Sequence, residues 1–198
     1  MFHKKLLGLV CGIAAISVPA FSQDENPARN EVSVQAFGSW VRSTTSNGVD
    51  QTATNSGGVL GTYRFFFNRN HGVEGNYGYS LNNQNYGFRG GLAGVQSYSH
   101  EFSAAYVFRY PLRHWTPFAL AGVGGLVFDP KDSPFNSQTR AAFVYGGGAD
   151  FGLTKHIYVR AEYRGFVYNS PTFDIPALAG LDRTTHRAEP SVGFGYRF

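Results

Sequence analysis

Charged residues in this chain recur at every second position inside otherwise apolar stretches. In "HIYVRAEYRGFVY" these are Arg160, Glu162 and Arg164, and Arg64, Glu74, Glu101, Arg109, Asp150, Glu189 and Arg197 hold equivalent places in five other stretches. Alternate residues of a strand point to one face, so all ten are expected to share a single enclosed side. Five are acidic and five basic, which makes an ion-pair network the natural chemistry. The competing arrangement is a narrow polar channel that gates by exchanging partners. A closed barrel of eight strands is just wide enough for its side chains to fill it, so the expectation is a plug. Glu162 is expected to pair with Arg160, Arg164 or an arginine of a neighbouring strand.

Other reactive residues are less well placed. "SYSHEF" sets Ser99, His100 and Glu101 side by side, but neighbours on a strand point to opposite faces, so a triad is not expected. His71, His114 and His156 fall in or beside three short turns. A metal site would need them to converge with a further ligand, and solvated turn residues are expected instead. The sequence therefore predicts no catalytic residue, no metal and no cofactor, and a protein that is not an enzyme.

The elements that position the charges are strands. Period-two alternation runs through "EVSVQAFGSW" (Val32, Val34, Ala36 and Trp40 against Ser33, Gln35 and Ser39), "GVLGTYRFFFN", "GVEGNYGYSLN", "HEFSAAYVFRY", "WTPFALAGVGGLVF", "TRAAFVYGGGADFGL", "HIYVRAEYRGFVY" and "SVGFGYRF". In the fifth, glycines interrupt the pattern and a bulge near Gly122 to Gly125 is the expectation. The connections alternate in length. "NRNHG", "PLRHWT" and "TKH" are short, whereas "RSTTSNGVDQTATNSG", "NNQNYGFRGGLAGVQS", "DPKDSPFNSQT" and "NSPTFDIPALAGLDRTTH" are long and polar. Short turns on one side and long loops on the other describe a membrane barrel of the outer-membrane kind. The fold class expected is all-β: an eight-stranded antiparallel up-and-down transmembrane β-barrel over residues 31–198. A soluble barrel would turn the apolar face inward and the charges outward, against the loop asymmetry and an aromatic content of 16%.

The N-terminus reads as an export signal. Lys4 and Lys5 precede an apolar run of about 15 residues, short for a spanning helix, and small residues follow. Residues 1–22 are expected to be the signal peptide, with cleavage between Ser22 and Gln23 and a short leader at 23–30. Cys11 is the only cysteine, so the exported part would hold no disulfide. It would also lose two of the 17 Lys and Arg against 13 Asp and Glu, which leaves no basic cluster suited to nucleic acid.

"PFALAGVGG", "FVYGGGADFGLTKHIYVRAEYRGFVY" and the final "GFGYRF" resemble the bacterial outer-membrane beta-barrel family, the small OmpA-type and opacity-type barrels often grouped as porin family proteins. The resemblance implies localisation in the bacterial outer membrane. It also implies that Val192, Phe194, Tyr196 and Phe198 form the assembly signal read by the barrel-assembly machinery. The partners expected are that machinery during biogenesis, outer-membrane lipid, and an unknown ligand of the loops. Lipid A-modifying enzymes occur on eight-stranded barrels, but the His-x-Ser pair of the deacylase type is absent from this sequence. The role expected is structural or surface-interactive, adhesion or recognition through four extracellular loops over a lumen plugged by ion pairs. A narrow porin-like channel for ions or very small solutes is the alternative. The loop residues Phe173, Ile175, Pro176, Leu178 and Leu181 would either form a contact patch or cap the rim.

Overall fold

The computed structural model describes residues 28–41, 44–46, 49–53, 56–88, 91–130, 137–169 and 184–198; of 44–53, 81–88, 91–97 and 130 it describes the backbone alone. The expected signal peptide, its Ser22–Gln23 cleavage point and the apolar loop residues 173–181 lie outside them. Ten strands run in chain order: β1 (Asn30–Val41), β2 (Thr44–Ser46), β3 (Val49–Ala53), β4 (Ser56–Phe66), β5 (His71–Phe88), β6 (Gly91–Arg109), β7 (Trp115–Pro130), β8 (Gln138–Gly152), β9 (Ile157–Asn169) and β10 (Thr184–Arg197). Eight of them close a ring in the order β5-β4-β1-β10-β9-β8-β7-β6, shut by the β5–β6 pairing. Every pairing is antiparallel. The seam between the first and last strands is fastened by Asn30 N–H to the Phe198 carbonyl at 3.1 Å and the reciprocal bond at 3.0 Å. Closure leaves the eight-stranded ring without an edge, the condition for a sheet in lipid. Among the described residues no helix is long and apolar enough to cross a membrane; the crossing is made by strands.

Side-chain parity follows the sequence pattern. Val34, Val59, Phe102, Val123, Phe143, Val192 and Phe194 point outward, while Leu60, Val107, Leu126 and Phe166 point inward and are fully buried. Two aromatic girdles flank the outer surface. Phe65, Phe67, Phe108, Tyr110, Trp115, Phe151, Tyr196 and Phe198 surround the short-turn end; Trp40, Tyr79, Phe143 and Tyr145 surround the other. Between them lie small and aliphatic residues such as Val34, Ala104, Ala161 and Val192, together with the exposed rings of Phe102, Tyr106, Tyr163 and Phe194. This is the outer band of a membrane barrel, with amphipathic rings at the two interfaces.

Four expectations need correction. The bulge near Gly122–Gly125 is absent: β7 pairs without a break from Ser97↔Pro130 to Arg109↔Phe118 on one side and from Trp115↔Phe151 to Phe128↔Gln138 on the other. The glycine instead makes room, since a Cβ on inward-facing Gly122 would stand 2.1 Å from the Ala104 carbonyl oxygen. The stretch 82–97, expected as a loop, is nearly all strand, with β5 and β6 paired from His71↔Phe108 to Phe88↔Gly91. Its Asn- and Gly-rich composition is overridden by cross-strand pairing. Finally, β10 begins at Thr184, inside the last expected loop. The first long connection also carries strand: β2 and β3 form a small hairpin whose β3 pairs with β5.

Candidate functional site

The chemistry of the barrel is concentrated inside it. All ten charges expected there are inward, and all are buried except Arg197, whose side chain is 21% exposed. Two more join them that sequence reasoning missed, Glu31 and Arg187, each 1% exposed. Both carried the signal: Glu31 shares parity with Ser33 and Gln35, and Arg187 with Glu189. Among the described residues, six arginines and six carboxylates thus meet in ion pairs inside the barrel.

They form two groups. Near the short-turn end, Glu31 is the hub. Its Oε1 accepts from Arg109 Nη1 at 2.5 Å and Arg197 Nε at 3.0 Å, and its Oε2 accepts from Arg160 Nη2 at 3.1 Å. Asp150, on β8, takes Arg160 in a two-pronged pair at 2.7 and 2.8 Å and Arg197 at 3.3 Å. Deeper in, Arg64 bonds Glu74 at 2.7 Å and reaches Glu162 at 3.6 Å. Arg164 bonds Glu101 at 2.5 Å and stands 3.7 Å from both Glu162 and Glu189. Arg187 pairs with Glu189 and, at 3.4 Å, with Glu101. Phe118 joins the groups, with the Arg64 guanidinium 4.0 Å and that of Arg160 5.1 Å from its ring centre. Such stacking suits the planar, weakly hydrated arginine head. Buried uncharged polar residues such as Ser33, Gln35, Thr62, Asn76 and Ser99 sit among these charges, and Val107, Leu126, Phe128, Val144, Phe166 and Tyr168 belong to one buried apolar cluster.

Glu162 meets the expectation through Arg164. Its other arginine is Arg64, from β4 rather than from an adjacent strand. Glu162 Oε1 has no hydrogen-bond donor among the described residues, and its group holds four carboxylates against three arginines. Removing this carboxylate relieves an excess, so Glu162→Ala is expected to cost only about 1–2 kcal/mol, the lower part of the range for a disturbed buried polar group. Urea unfolding of the refolded barrel checks this.

The remaining candidates separate as the geometry requires. Ser99 and Glu101 are buried inside the barrel, whereas His100 lies on the outer wall, where Tyr77 Oη meets its Nδ1 at 2.9 Å. His71 contacts the Tyr106 hydroxyl, and His156 stacks on Tyr196 and bonds the Arg197 carbonyl at 3.0 Å. Among the described residues, no three His, Cys, Asp or Glu side chains gather as metal ligands. Val192, Phe194, Tyr196 and Phe198 all face outward on the closing strand.

A family model for the outer membrane protein beta-barrel domain matches residues 8–198. No curated protein matches the chain. Among solved structures, it is similar to the outer membrane protein OprG of Pseudomonas aeruginosa, at 14% identity over 87% of this chain and 97% of that one, with a TM-score of 0.64. It is also similar to the neisserial surface protein NspA, at 11% identity over 85% and 97%, with a TM-score of 0.56. A third is Ail, the attachment invasion locus protein of Yersinia pestis, in complex with the heparin analogue sucrose octasulfate, at 21% identity over 86% and 99%, with a TM-score of 0.53.

Proposed function

This chain belongs to the outer membrane protein beta-barrel domain family of the bacterial outer membrane, and we propose that it acts there as a plugged barrel that carries a surface for contact outside the cell. The observation that supports the plug is the filled interior, where eleven of these twelve paired charged side chains are buried together with uncharged polar residues and an apolar cluster. Charges packed this way are held by one another and leave little room for solute. On this reading the protein has no catalytic role, and its partners are outer-membrane lipid, the assembly machinery that reads the Phe198 strand, and a ligand of the long-loop end.

The surface part rests on the sheet at that end. Beyond the Ser80–Ser99 rung, β5 and β6 continue as a pair to Phe88 and Gly91, roughly 25 Å of strand at about 3.3 Å per residue. β3, with β2 beside it, widens this sheet. A structural neighbour described as an attachment invasion locus protein is consistent with such a role. Cells displaying the intact chain should bind partners on a glycan or protein array, and cells whose residues 82–97 are shortened to a two-residue turn should lose that binding while the barrel stays heat-modifiable on gels. Equal binding by both would remove the hairpin from this role, and rapid swelling of proteoliposomes in arabinose would favour the narrow channel instead.

A further inference from the structure

The short-turn mouth holds a feature that neither anchoring nor surface contact uses. A cavity of about 430 Å³ opens there, lined by Arg69, Arg109, Thr116, Lys155 and Arg197 among others. Arg69 belongs to the turn between β4 and β5, Lys155 to the turn between β8 and β9, and the two remaining arginines to the ends of β6 and β10. Four cations from four separate places in the chain therefore converge on one opening, and among the described residues no carboxylate side chain lines it.

Two of the four are built in. Arg109 is 6% exposed. Its guanidinium lies 3.4 Å from the Phe66 ring centre, Nε donates to the Arg69 carbonyl at 3.0 Å, and Nη1 is held by Glu31. Arg197 is fixed by Glu31 and Asp150. These two carboxylates also hold Arg160, so behind the mouth three guanidiniums share two negative charges. Arg69 and Lys155 add two more positive charges, and among the described residues no carboxylate pairs with either. Among these side chains positive charges outnumber negative ones by three, around a space within the size range of small-ligand sites.

We propose that this mouth is an anion site for a phosphate-bearing group, facing the periplasm as the short turns of such barrels do. Oriented arginines fixed by a second layer of carboxylates suit the planar, multi-oxygen face of a phosphate, and the Thr116 hydroxyl adds a neutral donor at the wall. Arg69 and Lys155, exposed on their turns, supply further charge at the entrance. The same chemistry is offered by a free phosphomonoester and by the phosphate of an inner-leaflet lipid headgroup.

The test uses the refolded barrel in a maltoside detergent, which carries no phosphate. Titration with glycerol 3-phosphate should move the Nε–H NMR signals of Arg109 and Arg197. In nanodiscs, replacing a neutral glycolipid by phosphatidylglycerol should move the same signals if the group is a headgroup. A shift in either arm supports the site and names its source. The double variant Arg69→Ala/Lys155→Ala, which breaks no ion pair, should bind at least tenfold more weakly while staying heat-modifiable. Arg113→Ala, a turn cation outside the cavity, should bind within twofold of the parent. No shift in either arm, or an equal loss in Arg113→Ala, would overturn the site and leave only general attraction to a basic rim.

Discussion

Glu31→Ala is expected to destabilise the barrel by about 3–5 kcal/mol, the usual cost of leaving buried charges without their partner. One carboxylate with 1% exposure receives Arg109, Arg160 and Arg197. Without it, three guanidiniums close to one another would retain a single acid, Asp150, for two of their number, and Arg109 would keep only the Arg69 and Ala28 carbonyls, at 3.0 and 3.5 Å. Attraction would turn to repulsion in a place water reaches poorly. Glu31→Gln retains an oxygen acceptor and the shape of the side chain, so its loss should be smaller. Urea titration in lipid vesicles, from the folded and unfolded sides, gives the order: parent, then Gln, then Ala. An Ala variant within 1 kcal/mol of the parent would mean that water satisfies these arginines and that the interior is wetter than the packing implies.

Val34→Arg tests the other face. Val34 is 63% exposed on the outer wall and pairs with Phe194 on one side and Gly61 on the other. It lies four residues beyond Asn30, where β1 begins, so in a crossing of about 9–11 residues it falls close to the midplane. An arginine there should cost about 2–4 kcal/mol, while Val34→Leu should be nearly neutral. The comparison is again made by unfolding in vesicles. Tolerance of arginine would contradict a lipid-facing wall.

Much of this was legible because a barrel strand has only two faces. Once Arg160, Glu162 and Arg164 were aligned, parity assigned the inward side for every other strand. What parity could not supply was the partner across the lumen. Arg64 and Glu162 lie on β4 and β9, which are not neighbours, and nothing local in the chain announces that they meet. The seat of Phe118 between Arg64 and Arg160 was hidden for the same reason. Glu31 and Arg187 were missed at strand ends, where pattern is shortest and where pairing, not composition, sets the boundary. Composition also misled at 82–97 and at Gly122–Gly125. In the first, Asn and Gly suggested a loop but a facing strand supplied the hydrogen bonds. In the second, missing side chains imitated a change of register, whereas the backbone runs straight and the glycine admits a close neighbour.

The lumen is the centre of this account, and ion conductance through a single barrel reads it directly. The refolded chain, shown to be folded by its heat-modifiable migration, is inserted into a planar bilayer in potassium chloride. A lumen closed by six arginines, six carboxylates and the Leu126–Phe166 cluster predicts no reproducible single-channel steps. Steady steps that change in size with Arg164→Ala or Glu162→Ala would contradict it and make the charged interior a conducting path.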